Sequence, residues 1–175
     1  MIISSGKENF SLPNDLRYTH QFYNMFMFVI LLAIASMIPA IWLPHIGEEG
    51  VYTISSFEML HSKNFFNVTL YGIHYPRPPL FNWCIVAIAA LFKVPEVLVA
   101  ARIISILATL GMMLIVAWLA KKLWQRQFIG LLTASIFLSG DVLFRRGWLA
   151  YSDPIFSFFV FTSMAILWLA VHESC

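Results

Sequence analysis

Charged residues are scarce in this sequence. Only 11% of its 175 residues are charged, while 60% are hydrophobic. An ordinary soluble domain carries about 25% charged residues. The net charge is +2 and no basic tract occurs, so nucleic acid is not predicted as a partner. The composition and the long apolar runs exclude a soluble domain and predict an all-α integral membrane protein in a lipid bilayer.

Cysteine and metal signatures are also scarce. Cys84 and Cys175 are the two cysteines, too few for a disulfide framework or a metal knuckle. Three of the five histidines lie between Pro44 and Pro79, and the spacing of His45, His61 and His74 matches no zinc signature. No cofactor is therefore predicted, and a divalent metal is not supported by these spacings.

Long apolar runs dominate what is present. Residues 22–43 contain no charge, and about 20 apolar residues cross a hydrocarbon core. Similar runs predict transmembrane helices over 97–120, 128–144 and 154–171, which gives about four spans. Polar residues 1–21 come first, and the run after them exceeds the roughly 7–15 residues of a signal-peptide core. We expect this run to stay attached as a membrane anchor.

The topology depends on Leu80–Phe92, which is apolar but shorter than a span. Its length is typical of a re-entrant or interfacial helix. If it does not cross, 1–21 is a cytoplasmic tail, 44–96 an outer loop with short helices, and 121–127 a cytoplasmic loop. The excess of Lys and Arg on cytoplasmic loops barely separates this arrangement from the one in which the segment crosses. We favour the first on length, within one membrane domain over 1–175.

Three acidic residues are candidates for chemistry. Glu48 and Glu49 follow the first span, where partial desolvation would raise a carboxylate pKa and make a usable general base. The structural alternative is a pair of interfacial acids that open a helix. Asp153 precedes Pro154 at the start of the last span, and helix capping is its structural alternative.

Two arginines are candidates for anion binding. Arg77 lies in the proline-rich stretch 75–79, which would hold its guanidinium in place for bidentate capture of phosphate. Arg102 lies inside a predicted span, where a charge is a functional-site hypothesis by default. Snorkelling of either side chain to the headgroups is the alternative. Asp141 and Arg145 are four residues apart and are predicted to pair on a helix.

Several short pieces occur in an order that resembles one family. The pieces are GEEGVY at 47–52, EML at 58–60, NFF at 64–66, YPRPPLFNW at 75–83, ARIIS at 101–105 and SDP at 152–154. Together they resemble the first outer loop and neighbouring spans of the GT-C membrane glycosyltransferases. The likeness is strongest to the bacterial aminoarabinose transferase and related enzymes of the protein O-mannosyltransferase superfamily.

The resemblance implies an activity and a site. Such enzymes pass a sugar from a polyprenyl-phosphate donor to an acceptor on the outer face of the membrane. Glu48 matches the loop acid of the family, which deprotonates or orients the acceptor hydroxyl, and Glu49 is counted with it as catalytic. Asp153 would line the same cavity. Arg77 would grip the lipid phosphate, and Arg102 would add positive charge there.

The sequence departs from the family in three ways. Glu48 replaces the commoner aspartate, and Pro76 stands where the aminoarabinose enzyme has an acidic residue that helps hold a metal, so no metal is carried over. The family has many more spans than the four predicted here. We therefore expect the N-terminal part of a longer enzyme, in a bacterial inner membrane, with its site facing outward.

The resemblance leaves the sugar unspecified, and the acceptor as lipid, glycan or protein. A non-catalytic small membrane protein, such as an assembly factor or transporter subunit, is the alternative function. On that reading the charged loop binds a partner and the acids are structural.

Overall fold

Helix accounts for nearly all the regular structure in the computed structural model, which describes residues 16–92, 96–140 and 147–173. The predicted all-α membrane fold is confirmed. The helices are α1 (Leu16–Ala40), α2 (Glu49–Ser62), α3 (Leu80–Phe92), α4 (Val97–Trp124), α5 (Gln127–Ser139) and α6 (Asp153–Glu173). Two short antiparallel strands, β1 (Thr69–Leu70) and β2 (Ile73–His74), form a hairpin between α2 and α3.

Three of the described helices are long and apolar enough to cross a membrane. They cover Gln21–Ala40, Val97–Trp124 and Asp153–His172. The predicted count of four is therefore one too high among the described residues. Within the described part of the predicted span 128–144, helix α5 has 13 residues and ends at Ser139, and residues 141–144 lie outside the described residues. The predicted pairing of Asp141 with Arg145 lies outside the described residues.

Gln127, where α5 begins, and Ala150, shortly before α6, nevertheless lie on opposite sides of the bundle. The hydroxyl of Tyr23, near the start of α1, donates to Gln127 Oε1 at 3.4 Å. Ala150 N–H instead donates to Glu49, just beyond the end of α1. About 17 residues of helix separate these two ends of α1, or about 25 Å at 1.5 Å per residue. The C-terminal end of α1 and the N-terminal ends of α4 and α6 thus lie on one side of the bundle.

Helix α3 begins and ends on that same side. Asn82 Nδ2 donates to Ser55 Oγ of α2 at 2.7 Å. Four residues after α3, Glu96 lines a cavity together with Trp42 and His45. A crossing helix would leave Phe92 on the far side, and four residues span at most about 14 Å. The structure therefore favours the arrangement in which Leu80–Phe92 does not cross.

Small residues bring α4 close to its neighbours. A Cβ on Gly111 would lie 2.7 Å from Phe158 of α6. A Cβ on Gly130 of α5 would lie 2.8 Å from the carbonyl oxygen of Ala117. Close approach at small residues is how helices pack within a bilayer. Helix α4 consequently forms the centre of the bundle.

The outer surfaces of α1 and α6 are covered with apolar side chains. Phe28 and Leu32 of α1 are 64% and 58% exposed, and Phe156 and Leu167 of α6 are 69% and 64% exposed. Faces of this kind are stable against lipid, since the backbone polar groups are satisfied within the helices. The fold is that of an integral membrane protein.

Candidate active site

Three of the five predicted site residues line one cavity on the side where α1 ends. This cavity has a volume of about 710 Å³ and contains Glu48, Arg77 and Asp153. Tyr52 of α2 and Tyr151 complete its polar wall. Its residues come from the start of α2, the loop before α3 and the start of α6, so the fold joins positions about 100 residues apart.

Glu48 is held by its backbone and presents its carboxylate to the cavity. Its N–H donates to the hydroxyl of Tyr151 at 3.3 Å, while its side chain is exposed. Gly47 before it has φ +62°, and a Cβ there would lie 2.6 Å from Tyr151 Oη. A glycine is therefore required at this turn. The exposed side chain of Glu48 is not desolvated as expected, whereas its neighbour Glu49 is fully buried.

Asp153 is the first residue of α6 and also faces the cavity. Its side chain is exposed. No hydrogen bond to its carboxylate, or to that of Glu48, occurs within the described part of the chain. The capping alternative for Asp153 is thus not supported. Both carboxylates can accept hydrogen bonds from a ligand.

Arg77 is fixed by aromatic neighbours. One guanidinium nitrogen donates to Tyr52 Oη at 2.7 Å, and Tyr52 Oη lies 3.0 Å from Ser152 Oγ. The guanidinium carbon is 5.3 Å from the ring centre of Tyr52 and 5.0 Å from that of Tyr75. Its other N–H groups contact no acceptor among the described residues. An arginine has five donors, so a fork suited to phosphate stays available.

An apolar groove opens from the same point. It has a volume of about 850 Å³ and shares Tyr52, Arg77 and Asp153 with the polar cavity. From there it follows α6. Its apolar wall consists of Leu80, Phe81, Ile155, Phe156, Phe159, Val160, Met164 and Leu167. The junction between a polar cavity and an apolar groove is therefore occupied by one arginine and one aspartate.

Glu49 and Arg102 form a buried ion pair instead of lining the cavity. Both side chains are 0% exposed. Arg102 Nε donates to Glu49 Oε1 at 2.9 Å, and a terminal nitrogen of the same guanidinium donates to Oε2 at 2.6 Å. This is the bidentate geometry of strong arginine–carboxylate pairs. Neither residue is brought into contact with the polar cavity.

The remaining donors of Arg102 are directed at the end of α1. They donate to four backbone carbonyl oxygens between 2.6 and 3.2 Å. The acceptors are Ala40, Ile41, Leu43 and Pro44. Snorkelling is excluded by this burial. In this arrangement Arg102 offers no donor to a phosphate, so its predicted role as a phosphate ligand is not supported.

Glu49 is held as a carboxylate. Besides Arg102, it accepts hydrogen bonds from Ile46 N–H at 2.9 Å and Ala150 N–H at 2.8 Å. Burial by itself raises the pKa of Glu49, but the hydrogen bonds outweigh it and keep the pKa below its usual range. An acid with a lowered pKa and no free lone pair facing the cavity is poorly suited to be the base. Its predicted catalytic role is not supported by this geometry.

Tyr52 and Tyr151 were not singled out from the sequence. Tyr52 ends the motif at 47–52 and Tyr151 precedes the Ser-Asp-Pro motif. Their positions within the motifs were the only available signal, since an aromatic residue beside a span is common at interfaces. Among the described residues, no group of three or more His, Cys, Asp or Glu comes together. The cofactor expectation stays a prediction.

Fold and site together define a helical membrane protein whose polar cavity meets an apolar groove at the end of its spans. The chain belongs to the dolichyl-phosphate-mannose-protein mannosyltransferase family, with residues 45–174 matching that family. The resemblance inferred from the ordered motifs is thereby confirmed.

Curated relatives are named undecaprenyl phosphate-alpha-4-amino-4-deoxy-L-arabinose arabinosyl transferases. The protein of Pseudomonas fluorescens (strain Pf0-1) is 30% identical over 83% of this chain and 25% of its own length. That of Wigglesworthia glossinidia brevipalpis is 32% identical over 74% of this chain and 22% of its own length. That of Erwinia tasmaniensis is 29% identical over 85% of this chain and 27% of its own length. The chain thus spans about a quarter of these relatives, and no solved structure matches it.

Proposed function

We propose that this chain is the N-terminal part of a membrane glycosyltransferase that uses a polyprenyl-phosphate-linked sugar. The carrying observation is the position of Arg77, where the polar cavity meets the apolar groove. A lipid phosphate sugar has the same order of parts: an apolar chain, an anionic phosphate and a polar sugar. The names of the relatives, which specify an undecaprenyl phosphate sugar, support this class of donor.

The geometry supports a direct role for two acids and one arginine. Glu48 takes the proton of the acceptor hydroxyl, whose oxygen forms a bond to the anomeric carbon of the sugar. The bond from that carbon to the phosphate oxygen breaks, and its electron pair leaves on the phosphate. Arg77 stabilises the negative charge that develops there. Asp153, at the same junction, accepts hydrogen bonds from sugar hydroxyls.

The proposed site faces away from the cytoplasm. Lys121, Lys122 and Arg126 lie at the opposite end of α4, and positive charge in short loops is typical of the cytoplasmic side. A cysteine in place of exposed His61 should react with an impermeant reagent added outside intact cells. A cysteine in place of exposed Gln125 should react only after permeabilisation. The reverse pattern would contradict an outward-facing site in a bacterial inner membrane.

The activity is tested in the full-length enzyme. Glu48→Gln keeps the size of the side chain and removes the base, so we expect transfer from a polyprenyl-phosphate sugar to fall by at least about 100-fold. Glu96→Gln is the matched control, because Glu96 is an exposed acid outside the polar cavity. Transfer by Glu48→Gln at close to the wild-type rate would contradict the proposal.

The non-catalytic alternative has no comparable support. A structural acid is expected to be paired, as Glu49 is with Arg102. The carboxylates of Glu48 and Asp153 instead have no partner among the described residues, and they line a cavity that also contains an arginine with available donors. Polar groups that converge on one cavity favour a binding site for a ligand.

A further inference from the structure

The buried ion pair joins three parts of the chain that are remote in sequence. They are residues 40–49, which lead from α1 into α2, then helix α4, and then the segment just before α6. Arg102 belongs to α4 and binds the carbonyl groups at the end of α1. Glu49 belongs to α2 and accepts the N–H of Ala150, just before α6. The two free acids flank this junction, since Glu48 is the residue before Glu49 and Asp153 follows Ala150 by three positions.

We propose that Glu49 and Arg102 are positioning residues, which fix the two free acids of the cavity relative to each other and to Arg77. The inference rests on the proposed function, because the relative placement of these acids matters only if they act on one ligand. It assigns to the pair a role that differs from proton transfer and from phosphate binding.

Further hydrogen bonds connect the same three parts of the chain. Glu48 N–H donates to the hydroxyl of Tyr151, and Ser105 of α4 donates to the carbonyl oxygen of Tyr151, both at 3.3 Å. Tyr52 Oη lies 3.0 Å from Ser152 Oγ. Of these connections, the bond from Ala150 to Glu49 is the shortest at 2.8 Å and is buried. Removing its acceptor leaves only longer or more exposed links between the segments.

A purely stabilising role does not explain the choice of residues. Replacing a buried ion pair by well-packed apolar side chains is often neutral or stabilising, because burying charge is costly. This pair is nevertheless fully buried, and no buried side-chain polar atom in the described ranges lacks a partner. Directional bonds to six different groups specify one arrangement of three segments, which apolar packing would define less strictly.

The test uses Glu49→Gln and Arg102→Lys in the full-length enzyme. In Glu49→Gln one side-chain oxygen becomes an NH₂ group, which repels either the guanidinium or an N–H donor. In Arg102→Lys the charge stays but the planar fork is lost. We expect kcat to fall about 100-fold, which is the effect of misplacing reacting groups by about 1 Å. The KM for the donor should change much less than kcat, since Arg77, which binds the donor phosphate, is unaltered.

A control separates positioning from general loss of stability. Glu58 is an acid of the same helix, and it accepts hydrogen bonds from Thr69 and from Gly72 N–H in the hairpin. Glu58→Gln is expected to lower the melting temperature while leaving kcat within about threefold of wild type. If Glu49→Gln does not fold, Glu49→Asp provides the same test, because it keeps the charge and shortens the reach.

Hydrogen exchange supplies a readout that does not require turnover. Peptides covering 44–53 and 147–153 should exchange at least about tenfold faster in Glu49→Gln than in wild type, with α4 and α5 unchanged. Faster exchange together with the loss of kcat would support positioning. Normal kcat in the folded variant would overturn it.

Unchanged hydrogen exchange in Arg102→Lys, together with a raised KM for the donor, would also overturn positioning. That result would indicate that Arg102 binds the donor phosphate. These outcomes are distinct from a failure of the proposed function. In that case the wild-type enzyme itself would transfer no sugar from a polyprenyl-phosphate donor.

Discussion

Replacement of Arg77 tests the part of the site that distinguishes a lipid phosphate donor from other ligands. One donor of Arg77 is used on Tyr52, so the guanidinium has enough N–H groups left for two bonds to a phosphate. Hydrogen bonds to charged groups contribute about 1.5–3 kcal/mol each. Arg77→Ala removes two such bonds. We therefore expect a loss of at least about 3 kcal/mol, or roughly 150-fold in Kd.

Arg77→Lys separates charge from geometry. It keeps the positive charge but binds as a single point, so we expect about a tenfold weaker Kd. The assay is equilibrium binding of a polyprenyl phosphate to the full-length enzyme in lipid nanodiscs. Arg126→Ala is the control, because Arg126 is an exposed arginine at the opposite end of α4. Unchanged affinity in Arg77→Ala would refute the assignment of Arg77 to the phosphate.

Three further predictions concern stability and the groove. Because the pKa of Glu49 is lowered by folding, its contribution to stability is complete above its unfolded pKa of about 4.3 and is lost as pH falls through its folded pKa. Between about pH 3 and 6 the melting temperature of wild type should therefore rise more steeply with pH than that of Glu49→Gln. Equal slopes of melting temperature against pH would contradict this. Gly47→Ala should destabilise the protein by about 1–3 kcal/mol through its positive φ and its contact with Tyr151, whereas Gly50→Ala, with open space around it, should not. In chemical denaturation, equal midpoints for the two variants would count against the close packing of this turn. Ser163→Trp narrows the groove and should raise the KM of a long-chain donor more than that of a short-chain analogue; an equal effect on both would argue against the groove as the chain's location.

The helical membrane fold was predictable because hydropathy reports burial in lipid directly. The length of Leu80–Phe92 also indicated a helix too short to cross, and the structure gives a 13-residue helix with the same bounds. The count of spans was less predictable, since the run 128–144 is mostly apolar, with Asp141 near its end, while the described part of its helix ends at Ser139. Apolar composition alone does not define where a helix ends.

The site was predictable in part. Glu48, Arg77 and Asp153 share a cavity, as the ordered motifs implied. Arg102 stood out as a charge within a span, but its partner Glu49 is 53 positions away, and hydropathy carries no information on such pairs. Adjacent acids of identical type gave no reason to expect one buried and one exposed. The difference arises because Glu48, just before α2, lines the polar cavity, whereas Glu49, the first residue of α2, is buried against Arg102.

A single-turnover measurement tests the central claim most directly. The full-length enzyme, in excess over a radiolabelled polyprenyl-phosphate sugar, is mixed with acceptor, and release of free polyprenyl phosphate is followed. We expect Glu48→Gln to bind the donor with wild-type affinity but to release free polyprenyl phosphate at least about 100-fold more slowly, with Glu48→Asp between the two. Release by Glu48→Gln at the wild-type rate would contradict the account.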